Sequence, residues 1–163
     1  MAFMCVVREQ INAPPEAVFA AASDFPNAPQ RIRGIKKMEM LTQGPAGVGT
    51  RFRETRVMFG REATETMEVV DFQAGRSYTL RAATCGCEYR TAISVRPTDS
   101  GSEITFDFSG RPLTFGGKVM GALMGWMMKS ACVRALKHDL ADLKAAVEKA
   151  AVQKAAVEKA AAG

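Results

Sequence analysis

The sequence predicts an α+β fold in which a strongly curved, seven-stranded antiparallel sheet wraps a long C-terminal helix, with two short helices after the first strand. Three observations predict it. Residues 36–110 read as six strand-length segments joined by turn signals too short for anything but hairpins. A single later segment, from about residue 113 to at least 147, carries a helical apolar stripe long enough to cover the sheet those strands build. The chain has 163 residues, 47% hydrophobic and 24% charged, which fits one packed domain with a tail and excludes wholesale disorder.

The elements follow in order. Residues 2–12 alternate Phe3, Cys5 and Val7 against Met4, Val6 and Arg8, the period of a strand buried mainly on one face. Asn12-Ala13-Pro14-Pro15-Glu16 then starts a helix: proline is tolerated in a first turn, and glutamate suits the positive end of the helix dipole. This helix is short, 15–22; Ser23-Asp24-Phe25-Pro26 ends it and opens a second through about Arg31, which Gly34 breaks. Strands are expected at 37–42, 50–59, 62–72, 77–84, 88–96 and 103–109, separated by the run 43–49, Gly60, Ala74-Gly75, Gly86 and Pro97-Thr98-Asp99-Ser100-Gly101. After Gly110-Arg111-Pro112, Val119, Trp126, Val133, Leu140 and Val147 recur at every seventh position, with Leu123, Leu136 and Leu143 between them. Past Leu143 the sequence turns Ala/Lys/Glu-rich and repeats KAAVEKA at 144–150 and 154–160. High helix propensity with few large apolar groups predicts a solvated extension, so a domain is expected over 1–148 and a helical or frayed tail over 149–163.

Composition narrows the function. Net charge +5, from 22 Lys and Arg against 17 Asp and Glu, is a mild excess without a concentrated run, so nucleic acid is not an expected partner. His138 is the one histidine, and Cys5, Cys85, Cys87 and Cys132 lack zinc-type spacing, so neither a metal nor another cofactor is expected. His138 falls off the apolar stripe and reads as a solvated helix residue, which leaves a cysteine nucleophile without a base; no catalytic residue is assigned. The cysteines are expected as free thiols in a reducing compartment. The opening MAFMCVVREQ has no basic n-region, and the most apolar stretch, 119–128, is too short to span a bilayer; a cytoplasmic protein is expected.

Several residues point inward by alternation. Tyr78 and Leu80 share a face, as do Tyr89, Thr91, Ile93 and Val95, and Ile104, Phe106 and Phe108. Tyr78, Tyr89 and Thr91 therefore bring hydroxyls to the interior, either for backbone partners or for a ligand. Gly117, Gly121 and Gly125 lie on one helix face, each costing about 1 kcal/mol against alanine. Beside them stand Met120, Met124, Met127 and Met128. Close packing explains the pattern, and so does a plastic apolar pocket wall. Trp126 or Met128 turned outward would suit docking to a membrane surface or a partner. In 50–59 the alternation fails: Phe52, Glu54, Arg56 and Met58 share one face and Arg51, Arg53, Thr55, Val57 and Phe59 the other, so a charge goes inside either way.

The opening INAPPEAVFAAASDFPNAPQRI, the run GPAGVGTRFRET and a terminal helix after six strands resemble the START / Bet v1-like (SRPBCC) superfamily, most closely its polyketide cyclase/dehydrase-like proteins, over about residues 4–148. The resemblance implies a helix-grip fold with an internal cavity between sheet and long helix. It also favours Phe52, Glu54, Arg56 and Met58 as the inward set, because Gly49-Thr50 leads the strand as in that family. Glu54 and Arg56 would then pair with each other and with Glu65 or Glu68 on the next strand, as a structural bridge or as a polar anchor for a ligand. The expected ligand-binding set is Phe52, Glu54, Arg56, Met58, Tyr78, Leu80, Tyr89, Thr91, Ile93, Phe106, Met120, Gly121, Met124 and Met128. The expected role is binding of a small hydrophobic molecule, lipid-, polyketide- or quinone-like. A polyketide cyclase/dehydrase-type enzyme and a carrier that docks on membranes without spanning them stay open beside it.

Overall fold

A computed structural model describes the backbone of residues 3–58, 60–84 and 86–161, and the side chains of these apart from 3, 58 and 115–128. Strand β1 (Phe3–Ile11) leads into helix α1 (Pro15–Ser23), a 3₁₀ turn (Phe25–Asn27) and helix α2 (Ala28–Arg31). Six strands follow: β2 (Ile35–Met40), β3 (Arg51–Met58), β4 (Arg61–Gln73), β5 (Ser77–Thr84), β6 (Cys87–Thr98) and β7 (Gly101–Pro112). Helix α3 (Phe115–Ala161) ends the described chain. All strands form one antiparallel, seven-stranded sheet in the order β1-β7-β6-β5-β4-β3-β2, so β2 to β7 are consecutive hairpins and β1 closes against the last strand.

The strands extend beyond the turn signals that marked them. The β6–β7 hairpin runs to Thr98↔Gly101, leaving a two-residue turn. There Gly101 has φ 141°, and a Cβ on it would lie 2.4 Å from the Ile11 carbonyl oxygen, so the hairpin tip fits under the β1–α1 turn only with glycine. Ser102, fully buried beside it, donates to the Ala13 carbonyl at 2.6 Å. A register shift between Val69 and Asp71 inserts one extra residue into β4, so inward residues run Ala63, Glu65, Met67 and Val69, then Phe72.

The core lies between the concave face and the second half of α3. Leu136, Leu140, Leu143 and Val147 are buried in one cluster with Val7, Ile11, Ile93, Val95 and Ile104. Each such side chain contributes about 1.5–3 kcal/mol through removal of apolar surface from water. Val18 and Phe19 of α1 and Phe25 of the 3₁₀ turn plug one end, with Phe25 stacked on Phe52 at 4.7 Å. Polar contacts tie α3 to β1: Lys144 Nζ donates to the Gln10 carbonyl at 2.6 Å, and Glu148 accepts from the Asn12 N–H at 2.8 Å. Arg33 pairs with Asp142 at 2.7 Å and Arg31 with Asp24, which occupies two of the arginines near the short helices. Beyond Ala151 the side chains of α3 are exposed, Val152 and Val157 among them. Among the described residues no helix is long and apolar enough to cross a membrane.

Candidate functional site

The concave face is not uniformly sealed. Near α1, the inward residues Tyr78, Ile93, Val95 and Ile104 are at most 6% exposed. In the next row Leu80 lies opposite Thr91 and Thr91 opposite Phe108, and these three keep partial exposure although the row's ends, Val69 opposite Leu80 and Cys5 opposite Phe108, are sealed. One row beyond, Met67 and Tyr89 are also only partly buried, on either side of the buried Ala82, with Tyr89 and Phe108 stacked at 5.7 Å. Apolar and aromatic groups on the inner side of a sheet stay reachable by solvent only where the covering layer leaves room.

At one edge of this region lies a charged cluster. Arg56 donates from Nε to Glu54 at 2.6 Å, and from its terminal nitrogen to Asp139 of α3 at 2.9 Å. Glu54 and Asp139 are each 7% exposed, and the Arg56 side chain 19%. Burial pushes the Glu54 and Asp139 carboxyls above the usual carboxylate range, with Arg56 pulling part of the way back. Burial also opposes the Arg56 charge, but the carboxylates of Glu54 and Asp139 outweigh it and hold the guanidinium above its ordinary value. One cation between two carboxyls in a low-dielectric site leaves an unbalanced negative charge, which favours a proton on the pair. The arrangement fastens α3 to β3 and sets a polar group beside an apolar surface. Close to it, Cys132 of α3 neighbours Cys5 of β1, and burial pushes the Cys132 thiol up to about 12. Cys5, Cys87 and Cys132 are free thiols.

The strand with the failed alternation places Phe52, Glu54 and Arg56 inward. The partner expected for Arg56 on the next strand is replaced by Asp139. Glu68 lies opposite Arg51 and pairs with Arg81 on the outer side at 3.0 Å, because a one-residue step along a strand reverses the face. Glu65 lies across from Glu54 on the inner side but does not bridge to Arg56. Asp139 was missed although its signal is present: Leu136, Asp139 and Leu143 fall three and four apart, so the carboxylate is in phase with the apolar stripe. Of the expected ligand-binding residues, Phe52, Tyr78 and Ile93 sit in the sealed part. The Tyr78 hydroxyl is committed, donating to the Ala22 carbonyl at 2.7 Å. Leu80, Tyr89 and Thr91 lie in the partly open part, whereas Phe106, itself partly exposed, lies between the sealed Ile93 and Val7. The side chains of Met58, Met120, Gly121, Met124 and Met128 lie outside the described residues. A groove of about 420 Å³ on the convex side is lined by Arg81, Glu88, Arg90, Ser109, Gly110 and Arg111, a charged surface unlike the apolar interior.

An antiparallel seven-stranded sheet gripping a long C-terminal helix defines the helix-grip class of ligand-binding folds. The profile of the family described as "Polyketide cyclase / dehydrase and lipid transport" matches residues 4–148, and the chain belongs to that family. No curated protein matches by sequence. Among solved structures, the chain is similar to the Zhui aromatase/cyclase from Streptomyces sp. R1128, at 15% identity and TM-score 0.78, covering 91% of this chain and 95% of that one. It is similar to a START superfamily protein from Mycobacterium smegmatis, at 17% identity and TM-score 0.71, covering 91% and 97%. The protein TTHA0849 from Thermus thermophilus shares 16% identity with TM-score 0.73, covering 92% and 99%.

Proposed function

We propose that this chain binds a small, largely apolar molecule between the concave face of the sheet and α3. The observation that carries the reading is the partial exposure of Leu80, Thr91 and Phe108 in the middle of an inward row whose ends, Val69 and Cys5, are sealed, beside the sealed Tyr78 and Ile93. Partly exposed apolar groups on an inner face are what a bound molecule would cover, and pockets of this kind orient a ligand with a few polar groups. Tyr89, Thr91 and the remaining N–H groups of Arg56 are the polar candidates. The binding unit is residues 1–148, and the extension over 149–163 takes no part. The family's description names both cyclisation and lipid transport, and both need a chamber that holds a long apolar molecule in one shape.

Native mass spectrometry of the purified protein, before and after organic extraction, tests this together with uptake of an apolar fluorescent dye. The wild-type chain should take up dye in a saturable 1:1 manner, and Thr91→Trp, which fills the open part, should abolish uptake while keeping the unfolding midpoint. Equal uptake by both would contradict an internal site.

A further inference from the structure

Glu65 differs from the other charged groups on the concave face. Glu54, Arg56 and Asp139 are bonded to one another. Glu65 lies directly across from Glu54, on the same side, partly buried, and makes no hydrogen bond or ion pair among the described residues. No sealed side-chain polar atom among them lacks a partner, so the Glu65 oxygens are not sealed; they border space that solvent reaches. Two residues along β4, Met67 belongs to the partly open apolar surface.

We infer that Glu65 is the specificity-determining group of the proposed binding site, offering its carboxyl as the hydrogen-bond donor to a carbonyl oxygen on an otherwise apolar ligand. The inference rests on the binding reading given above. Carbonyl rather than amine follows from the surroundings. Burial and the negative charge of Glu54 favour the neutral acid, and Arg56 opposes them. The charged groups facing Glu65 are Glu54 and Arg56 from β3, with Asp139 of α3 behind Arg56; β5 places Ala82 and Thr84 on this side. The segment 115–128 of α3 contains one ionisable residue in sequence, Lys118. A neutral carboxyl donates to a carbonyl, whereas an ammonium ligand needs the ionised form.

The test uses the full chain, 6-propionyl-2-(dimethylamino)naphthalene as a carbonyl probe, and 2-(dimethylamino)naphthalene as its carbonyl-free analogue. Wild type should bind the carbonyl probe more tightly at pH 6 than at pH 8.5. Glu65→Gln, which keeps a donor but cannot ionise, should bind it at both pH values without that dependence. Glu65→Leu should lose about tenfold in affinity, the worth of one hydrogen bond. The analogue should bind all three proteins alike. If both probes bind all three proteins equally, the role of Glu65 is overturned while the binding reading stands. If neither probe binds any of them, the binding reading fails and the inference with it. Preference of wild type for 2-(1-naphthyl)ethylamine, lost in Glu65→Gln, would overturn the choice of a carbonyl partner.

Discussion

Replacing Arg56 by methionine isolates what the buried cluster contributes. The guanidinium is 19% exposed and donates to two carboxylates whose side chains are each 9% exposed. Methionine fills most of the same volume, so the change removes a charge and two hydrogen bonds with little loss of packing. Breaking a buried pair leaves uncompensated charge and costs about 3–5 kcal/mol; the residual exposure of Arg56 puts the expected loss at the lower end, about 3 kcal/mol at pH 8. For a chain of this length that lowers the unfolding midpoint by about 6–12 °C. The pH dependence gives the sharper readout. Glu54 and Asp139 already hold protons more tightly folded than unfolded, and losing Arg56 strengthens that preference. A raised carboxyl pKa is a cost to the folded state at high pH that disappears as pH falls through the raised value. The deficit of the variant should therefore shrink between pH 8 and about pH 5.5 in urea unfolding monitored by circular dichroism. A deficit that is equal at both pH values, or below about 1 kcal/mol at pH 8, would refute a buried, charge-coupled cluster.

Four further outcomes follow from the same structure. Tyr78→Phe should cost about 1–2 kcal/mol in chemical unfolding, because it orphans the Ala22 carbonyl, and should leave dye affinity unchanged. Tyr89→Phe should weaken dye binding by up to about tenfold in a fluorescence titration, since it removes a hydroxyl from the proposed site. Gly101→Ala should destabilise by about 2 kcal/mol or more, because a Cβ there meets the Ile11 carbonyl at 2.4 Å and the Ala13 nitrogen at 2.9 Å; a midpoint within 1 °C of wild type would contradict this. Asp24→Asn should cost stability near neutrality: burial works against the Asp24 charge, but hydrogen bonds from Arg31 and Asn27 prevail and lower its pKa. A lowered carboxyl pKa stabilises above its unfolded value and loses that contribution as pH falls, so the gap should close below about pH 4.

The fold was legible because its signals are local. Period-two alternation and glycine turns located every hairpin to within a few residues, and one apolar stripe marked the only helix able to cover the sheet. What escaped depends on distance or on tertiary override. The adjacent valines Val69 and Val70 hide the bulge in β4, since both read as apolar whichever way they point. Phe25-Pro26-Asn27 looked like the opening of one helix, but it forms a 3₁₀ turn before α2, with the proline inside it. The inner face of β3 was legible only through its resemblance to known sequences, because the charges defeat the hydrophobic pattern. Asp139 was hidden for the converse reason: a carboxylate in an apolar stripe reads as an interruption until its distant partner Arg56 is known. Alternation turned Leu80, Thr91 and Phe108 inward, but their partial exposure depends on how α3 covers them, which no local pattern carries.

The central claim, an apolar ligand held on the concave face, is tested most directly by methyl-resolved NMR during titration with 6-propionyl-2-(dimethylamino)naphthalene. Met67, Leu80 and Thr91 face the proposed site, whereas Val6, Val57 and Val157 are 44%, 43% and 69% exposed elsewhere on the surface. The account predicts saturable shifts, at one probe per chain, at Met67, Leu80 and Thr91, and none at the three valines. Shifts confined to Val6, Val57 or Val157, or shifts that rise linearly without saturation at every methyl, would contradict it.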